Sequence, residues 1–210
     1  MRNSLSDAEI GQLLLPYGYR PDPRFCERLR AYISLLLRWN SKISLTTVTD
    51  PAEILKFHFG ESLFAVSAAP IKRSRLADVG SGAGFPGFPI AMAVPGLDLT
   101  LIESNAKKCA FLSEVVRSLE LDGVTVFHGR MEDLQADSGK FDFITARALG
   151  QHGELLSWAA GHLAPSGRVV LWLGEEDADS ISRNIGWKWR DRVLIPGSKR
   201  RYLLVGSPKA

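Results

Sequence analysis

Only two cysteines occur in the 210 residues, Cys26 and Cys109, so the chain has neither a disulfide framework nor a cysteine-based metal motif. Its four histidines are not at metal-ligand spacing, and no metal is expected. No apolar run approaches the roughly 18 residues needed to cross a bilayer. The opening stretch, Met1–Tyr19, is polar and acidic ahead of a short Leu run and lacks the layout of a secretion signal. Repeats and low-complexity segments are also missing. These absences predict a cytoplasmic protein with no membrane partner. They leave the oligomeric state open, with a monomer as the default.

A large excess of one charge sign is missing too: the net charge is only +3. Its distribution is uneven. Met1–Arg75 carries 11 Lys/Arg against 7 Asp/Glu, Leu76–Gly150 carries 6 against 10, and Gln151–Ala210 carries 9 against 6. Basic flanks around an acidic middle suit a polyanion held by the ends and a small ligand held by the centre. Ordinary scatter of surface charge explains the same counts.

The length suits one domain with a small appendage. Ser6-Asp7-Ala8-Glu9 has capping-box spacing and predicts a short helix through Leu15. Pro16, Pro21 and Pro23 are expected to break the chain. Phe25, Leu29, Tyr32, Ile33, Leu36 and Leu37 then recur at helical spacing to about Trp39. Asp50-Pro51-Ala52-Glu53 predicts a third helix, with Asp50 as cap, Pro51 in the first turn and Glu53 completing the box. Residues 1–70 thus read as a helical extension. From residue 71 to 210 the pattern is strand and helix in alternation. The expected strands are Leu76–Val79, Leu99–Ile102, Val124–Phe127, Phe141–Ile144 and Val169–Trp172, followed by Arg192–Ile195 and Tyr202–Val205 around a Pro196-Gly197-Ser198 turn. The expected helices include Asn105–Leu119 and His152–His162. Such alternation predicts an α/β fold with a doubly wound, mostly parallel sheet and an antiparallel edge. Seven strands so arranged resemble the class I, Rossmann-like methyltransferase fold.

The glycine-rich stretch Asp78–Gly87 follows the first strand directly, where glycines let the backbone turn tightly and approach a ligand. Glu103 ends the second strand 21 residues past Gly82, where a carboxylate would take ribose hydroxyls. Two ligands fit. Gly82–Gly87 satisfies the dinucleotide spacing G-x-G-x-x-G, which points to a nicotinamide or flavin. Gly80, Gly82 and Gly84 instead read Gly-x-Gly-x-Gly, which resembles the S-adenosylmethionine loop of methyltransferases, with Asp78 placed to reach the methionine amino group through the loop or a water. Pro86 disturbs the helix start that a pyrophosphate would use. Met131 and Glu132, after the third strand, are the candidates for framing an adenine.

The chemistry of transfer narrows the acceptor. Methylation at a pyrimidine carbon needs a cysteine nucleophile; Cys109 reads as core, and Cys26 lies beside Phe25 in the N-terminal helix, outside the strand ends. Methylation of an exocyclic amine usually shows an Asp/Asn-Pro-Pro-aromatic loop after the fourth strand; Ile144–Leu149 has none. A ring nitrogen such as guanine N7 carries a lone pair and no proton, so positioning matters more than a base. Arg147, at that place, fits either the donor's carboxylate or the acceptor base.

Several segments together resemble the bacterial rRNA small subunit methyltransferase G (GidB) family. They are Leu37–Asn40, Ile43–Thr46, Asp50-Pro51, Phe57-His58, Asp78–Gly87, Arg130–Glu132, Ala146–Ala148 and Arg201–Leu204. The resemblance implies methylation of guanine N7 in the decoding-region loop of 16S rRNA, with S-adenosylmethionine as donor and the RNA or small ribosomal subunit as partner. It implies donor contacts at Gly80, Phe85, Met131, Glu132 and Arg147, and substrate-side roles for Asn40, His58 and Arg201. There are departures. Many members have Lys before the glycine that follows the fifth strand, where this chain has Leu173, then Glu175-Glu176-Asp177. Many have His where this chain has Tyr202. Lys199, Arg200 and Arg201 are the expected phosphate contacts instead. A small-molecule methyltransferase, and an RNA-binding module with a vestigial donor site, remain the competing expectations.

Overall fold

In the computed structural model, which describes residues 5–135 and 139–209, the chain enters through the predicted capping box. Ser6 accepts from the Glu9 N–H, and the Glu9 carboxylate accepts from the Ser6 N–H at 2.8 Å, opening α1, Asp7–Leu14. A 3-10 turn, Leu15–Tyr17, follows. Pro23 does not break the chain but starts α2, Pro23–Asn40. Asp22 caps it, and proline lacks only a first-turn N–H that has no helical partner anyway. Asp50 accepts from the Ala52 and Glu53 N–H groups to open α3, Pro51–Ile54. Glu53 pairs with Lys56 at 3.0 Å rather than completing the box. A π-helical segment, Leu55–Gly60, then leads into α4, Glu61–Ala68.

The sheet contains β1 (Arg75–Val79), β2 (Asp98–Glu103), β3 (Val124–His128), β4 (Phe141–Arg147), β5 (Leu163–Gly174), β6 (Trp187–Trp189), β7 (Val193–Leu194) and β8 (Arg201–Pro208). Its order is β3-β2-β1-β4-β5-β8-β6, with β7 also paired to β8. The first five strands are parallel, and β8 runs antiparallel between β5 and β6. The closing pair across Pro196–Ser198 is present. β6 goes beyond the seven expected strands, and β5 begins six residues earlier than its apolar run.

Four further helices cover the sheet: α5 (Gly87–Ala93), α6 (Ala106–Ser118), α7 (His152–His162) and α8 (Glu175–Ser182). One apolar cluster joins α1, α2, α4, α5 and α6 to one sheet face, through Tyr32, Phe59, Phe88, Phe111 and Leu101. It crosses the expected boundary at residue 70 without a break. The second cluster packs α7 and α8 on the other face, through Ile144, Leu155, Leu171 and Ile181. Strand order reverses between β1 and β4, which opens a crevice beyond their carboxyl ends.

Candidate functional site

The loop after β1 is shaped by backbone conformations that favour glycine. Gly80, Gly82 and Gly84 have φ of 69°, 58° and 86°. Three side chains then hold it. From below, the Asp78 carboxylate accepts from the Gly87 N–H at 3.1 Å and from the Thr145 hydroxyl at 2.8 Å. From the side, Glu103 accepts from the Gly82 N–H at 2.9 Å and the Asn105 N–H at 2.8 Å. From the N-terminal helices, the Tyr32 hydroxyl donates to the Ala83 carbonyl.

Beside this loop lies a cleft of about 250 Å³, lined by Val79, Gly80, Glu103, Met131, Glu132 and Leu149 among others. Four of the expected donor contacts thus meet: Gly80, Glu103, Met131 and Glu132 line it directly, while Gly82 enters through its bond to Glu103. A Cβ at Gly80 would come within 3.1 Å of the Leu149 Cδ1, the opposite lining residue. The cleft offers a buried carboxylate at one side, an apolar thioether at the other and bare backbone between. That donor set fits a nucleoside with free ribose hydroxyls and a flat apolar ring.

Other expected contacts lie elsewhere. Asp78 is fully buried beneath the loop, its oxygens occupied by Gly87 and Thr145, so it supports the cleft without lining it. Burial raises its pKa to about 7, against the lowering effect of those two hydrogen bonds. Phe85 is also turned away. Its ring packs among Tyr32, Phe59 and His58, the last stacked at 4.7 Å. It joins the loop to the N-terminal helices through the core.

Asn40 spends its amide on one loop. Its Oδ1 accepts from the Leu45 and Thr46 N–H groups at 2.8 and 2.9 Å, and its Nδ2 donates to the Thr46 carbonyl at 2.8 Å. The Thr46 hydroxyl in turn meets His58 Nε2 at 2.8 Å. Asn40 and His58 therefore form one chain, Asn40–Thr46–His58–Phe85, behind the glycine loop, and neither lines the cleft. Burial, with the nearby Arg147 charge acting the same way, lowers the His58 pKa to about 4, so this ring is neutral near pH 7.

Arg147 lines a second, larger cavity of about 480 Å³, with Glu61, Leu149, Trp172, Leu173 and Arg201. Leu149 is shared between the two spaces. It is placed there by Ala148, whose φ of 55° is unusual for a residue with a Cβ. Arg147 Nη2 donates to the Phe57 carbonyl at 2.6 Å and to Glu61 at 3.1 Å. Its Nη1 is buried with no hydrogen-bond partner among the described residues. Burial lowers the Arg147 pKa, and Glu61 opposes that.

The basic run divides. Arg201 turns inward: its Nε and Nη2 donate to Glu61 at 2.9 and 2.5 Å. Its side chain stays 46% exposed, so it stands paired at the rim of the second cavity. Lys199 and Arg200 are exposed, with Arg200 3.4 Å from Glu175. Leu173 is a buried wall of the second cavity, and Trp172 is buried beside it, its indole N–H donating to the Glu61 carbonyl at 2.8 Å. Glu175-Glu176-Asp177 form the first turn of α8, where acidic side chains favour a helix start. Asp177 lines the second cavity. Glu61 was absent from the sequence reading: it sits in a helix with no motif around it, and its partners come from distant strands.

A sequence model of the rRNA small subunit methyltransferase G family matches residues 25–185. Among similar proteins, the ribosomal RNA small subunit methyltransferase G of Myxococcus xanthus is 39% identical, over 84% of this chain and 81% of that protein. The protein of the same name from Roseiflexus castenholzii is 36% identical, over 94% and 89%. Solved structures include a glycopeptide N-methyltransferase, MtfA, complexed with S-adenosyl-L-methionine. Its TM-score is 0.61 at 14% identity, over 73% of this chain and 88% of that one. A ribosomal protein L11 methylase from Lactobacillus delbrueckii gives 0.60 at 17%, over 74% and 80%. The fold is therefore that of class I methyltransferases.

Proposed function

The chain belongs to the rRNA small subunit methyltransferase G family, and from that premise we propose that it transfers a methyl group from S-adenosylmethionine to N7 of a guanine in the decoding-region loop of 16S rRNA. The observation that carries this reading is the pair of cavities meeting at Leu149. One fits the donor's nucleoside and the other presents arginines to an anionic acceptor. Family membership selects the methyl-donor reading of the loop over the nicotinamide one.

When bound, the donor supplies an electrophilic methyl on a sulfonium centre. Glu103 is placed to accept from the ribose hydroxyls with the lone pairs that Gly82 and Asn105 leave free. Met131 and the backbone at Glu132 border the space for the adenine ring. Gly80 keeps the passage beside Leu149 open. On the acceptor side, Trp172 and Leu173 supply apolar wall, while Arg147 and Arg201 supply positive charge. Glu61, the buried carboxylate there, has both oxygens bonded to guanidinium groups. N7 has no proton to lose. In-line alignment and exclusion of water then account for the rate. Exposed Lys199 and Arg200 extend the positive rim toward the RNA backbone.

The test is transfer from labelled donor to unmodified 16S rRNA and to 30S particles, with products mapped by nuclease digestion and mass spectrometry. A single 7-methylguanosine in the decoding-region loop is expected. A methyl on a carbon or an exocyclic amine would remove the N7 assignment. Intact donor binding with no transfer to either RNA would remove the RNA substrate.

A further inference from the structure

We propose that Glu61 is a positioning residue of the acceptor cavity, holding the guanidinium groups of Arg147 and Arg201 in one arrangement. The inference rests on the acceptor reading of that cavity.

The three side chains are layered. Glu61 is 1% exposed, Arg147 18% and Arg201 46%, so the carboxylate lies at the base and the guanidinium groups lie toward the opening. Each Glu61 oxygen serves a different arginine: Oε2 takes Arg147 Nη2 at 3.1 Å, and Oε1 takes Arg201 Nε and Nη2 at 2.9 and 2.5 Å. The backbone that carries the carboxylate is pinned as well, its carbonyl accepting from the Trp172 indole at 2.8 Å. Each arginine has one further restraint. Arg147 donates to the Phe57 carbonyl at 2.6 Å, and the Arg201 guanidinium lies 5.2 Å from the centre of the Phe57 ring. These contacts leave Arg147 Nη1 as a buried donor with no partner among the described residues. Such a donor is costly unless something arrives to accept from it.

Desolvating three charged groups costs several kcal/mol that their attraction only partly repays, so the grouping is weak evidence of a purely stabilising role. Within this trio two formal positive charges face one negative, and Asp177, exposed at the same cavity, offsets the one left over. Removing the carboxylate would raise the local charge and free both arginines. RNA would then bind at least as well but out of alignment. A misplacement of about 1 Å can cost about 100-fold in rate. The expected signature is therefore a loss in kcat without a rise in KM.

The experiment compares wild type, Glu61→Gln and Glu61→Asp as full chains, by steady-state methylation of 30S particles, donor calorimetry, the salt dependence of RNA binding and hydrogen exchange at the Arg201 Nε–H. For Glu61→Gln we expect kcat to fall about 100-fold with KM for RNA unchanged or lower, and donor Kd within about twofold. The log–log salt slope should steepen by about one unit as a cation is released, and Arg201 Nε–H exchange should accelerate. Glu61→Asp keeps the charge, so its salt slope should match wild type while kcat recovers in part. It also carries the test if the Gln variant does not fold. Wild-type kcat in Glu61→Gln, or a rate loss that follows only the folded fraction, would overturn the proposal. Should wild type methylate no RNA, the acceptor reading fails separately. Arg201 exchange then tests the arrangement by itself: protection lost in Glu61→Gln shows that Glu61 holds the guanidinium, and equal exchange in both proteins ends the proposal.

Discussion

The Asp78 carboxylate accepts the Gly87 N–H at 3.1 Å, closing the whole glycine loop between the end of β1 and the start of α5. The group is fully buried, and burial raises its pKa to about 7 from an ordinary 3.8. The folded state therefore holds this proton more tightly than the unfolded chain does. Stability from this group is complete below about pH 4 and falls as pH rises toward 7. The fall amounts to roughly 4 kcal/mol at most. Asp78→Asn keeps an acceptor for Gly87 and cannot ionise, while its amide N–H replaces the acceptor Thr145 now uses, so that hydroxyl must turn to accept. The variant's urea stability should lose less than that of wild type between pH 5 and pH 8, with donor Kd little changed. Parallel pH profiles for the two proteins would place the Asp78 titration outside this window.

Glu103 both braces the loop and lines the cleft. Glu103→Ala removes the acceptor for Gly82 and Asn105 together with the predicted ribose contact. The loss of a charged hydrogen bond costs about 1.5–3 kcal/mol, so donor Kd should rise about 10- to 150-fold by calorimetry. An unchanged Kd would mean that another group holds the ribose.

Asn40 makes three hydrogen bonds to the Leu45–Thr46 backbone and lines neither of the two cavities described above. Asn40→Ala should therefore act on stability first, by about 1–3 kcal/mol in chemical denaturation, because it strands backbone groups that Asn40 now satisfies. Donor affinity should stay within about twofold of wild type. A donor Kd that collapses while the melting temperature holds would return Asn40 to the ligand site.

What could be read from sequence was local. The glycine loop, Glu103 and Met131-Glu132 are each specified by neighbours within a few residues or by the fixed spacing of a strand–helix–strand unit, and the structure brings them to one cleft. The strands from β1 to β4 announce themselves as apolar runs. β6 did not: its three residues, Trp187-Lys188-Trp189, give too short an alternation to register. Pro23 misled because a proline is a helix start or a helix stop depending on whether a capping side chain precedes it, and Asp22 does. Glu61 was invisible for another reason. Its partners stand 86 and 140 residues away, and only the crossover from α4 to β4 and β8 brings them together. Arg201 is exposed like its neighbours yet bonded to Glu61, and a run of three basic residues says nothing about which one has a buried partner. Backbone pairing does, since Arg201 stands opposite Gly174 on β5, at the mouth of the second cavity.

That division of the basic run yields a separable outcome. Lys199 and Arg200 are exposed at the turn before β8, and Arg200 is drawn only loosely to Glu175 and Glu176, at 3.4 and 3.9 Å. Exposed pairs of that kind contribute little and release readily to a phosphate. In a Lys199→Gln, Arg200→Gln double variant, KM for 30S particles should rise several-fold and the salt slope of RNA binding should fall by up to about two units. The kcat at saturating RNA should remain near wild type, because neither side chain enters the cavity where Arg147 and Arg201 meet. Glu61→Gln is expected to do the reverse on both axes, lowering kcat and steepening the slope. Measured side by side at several salt concentrations, the two variants separate capture of the RNA from its alignment. A double variant that loses kcat at saturating RNA would show that these exposed cations also align the acceptor.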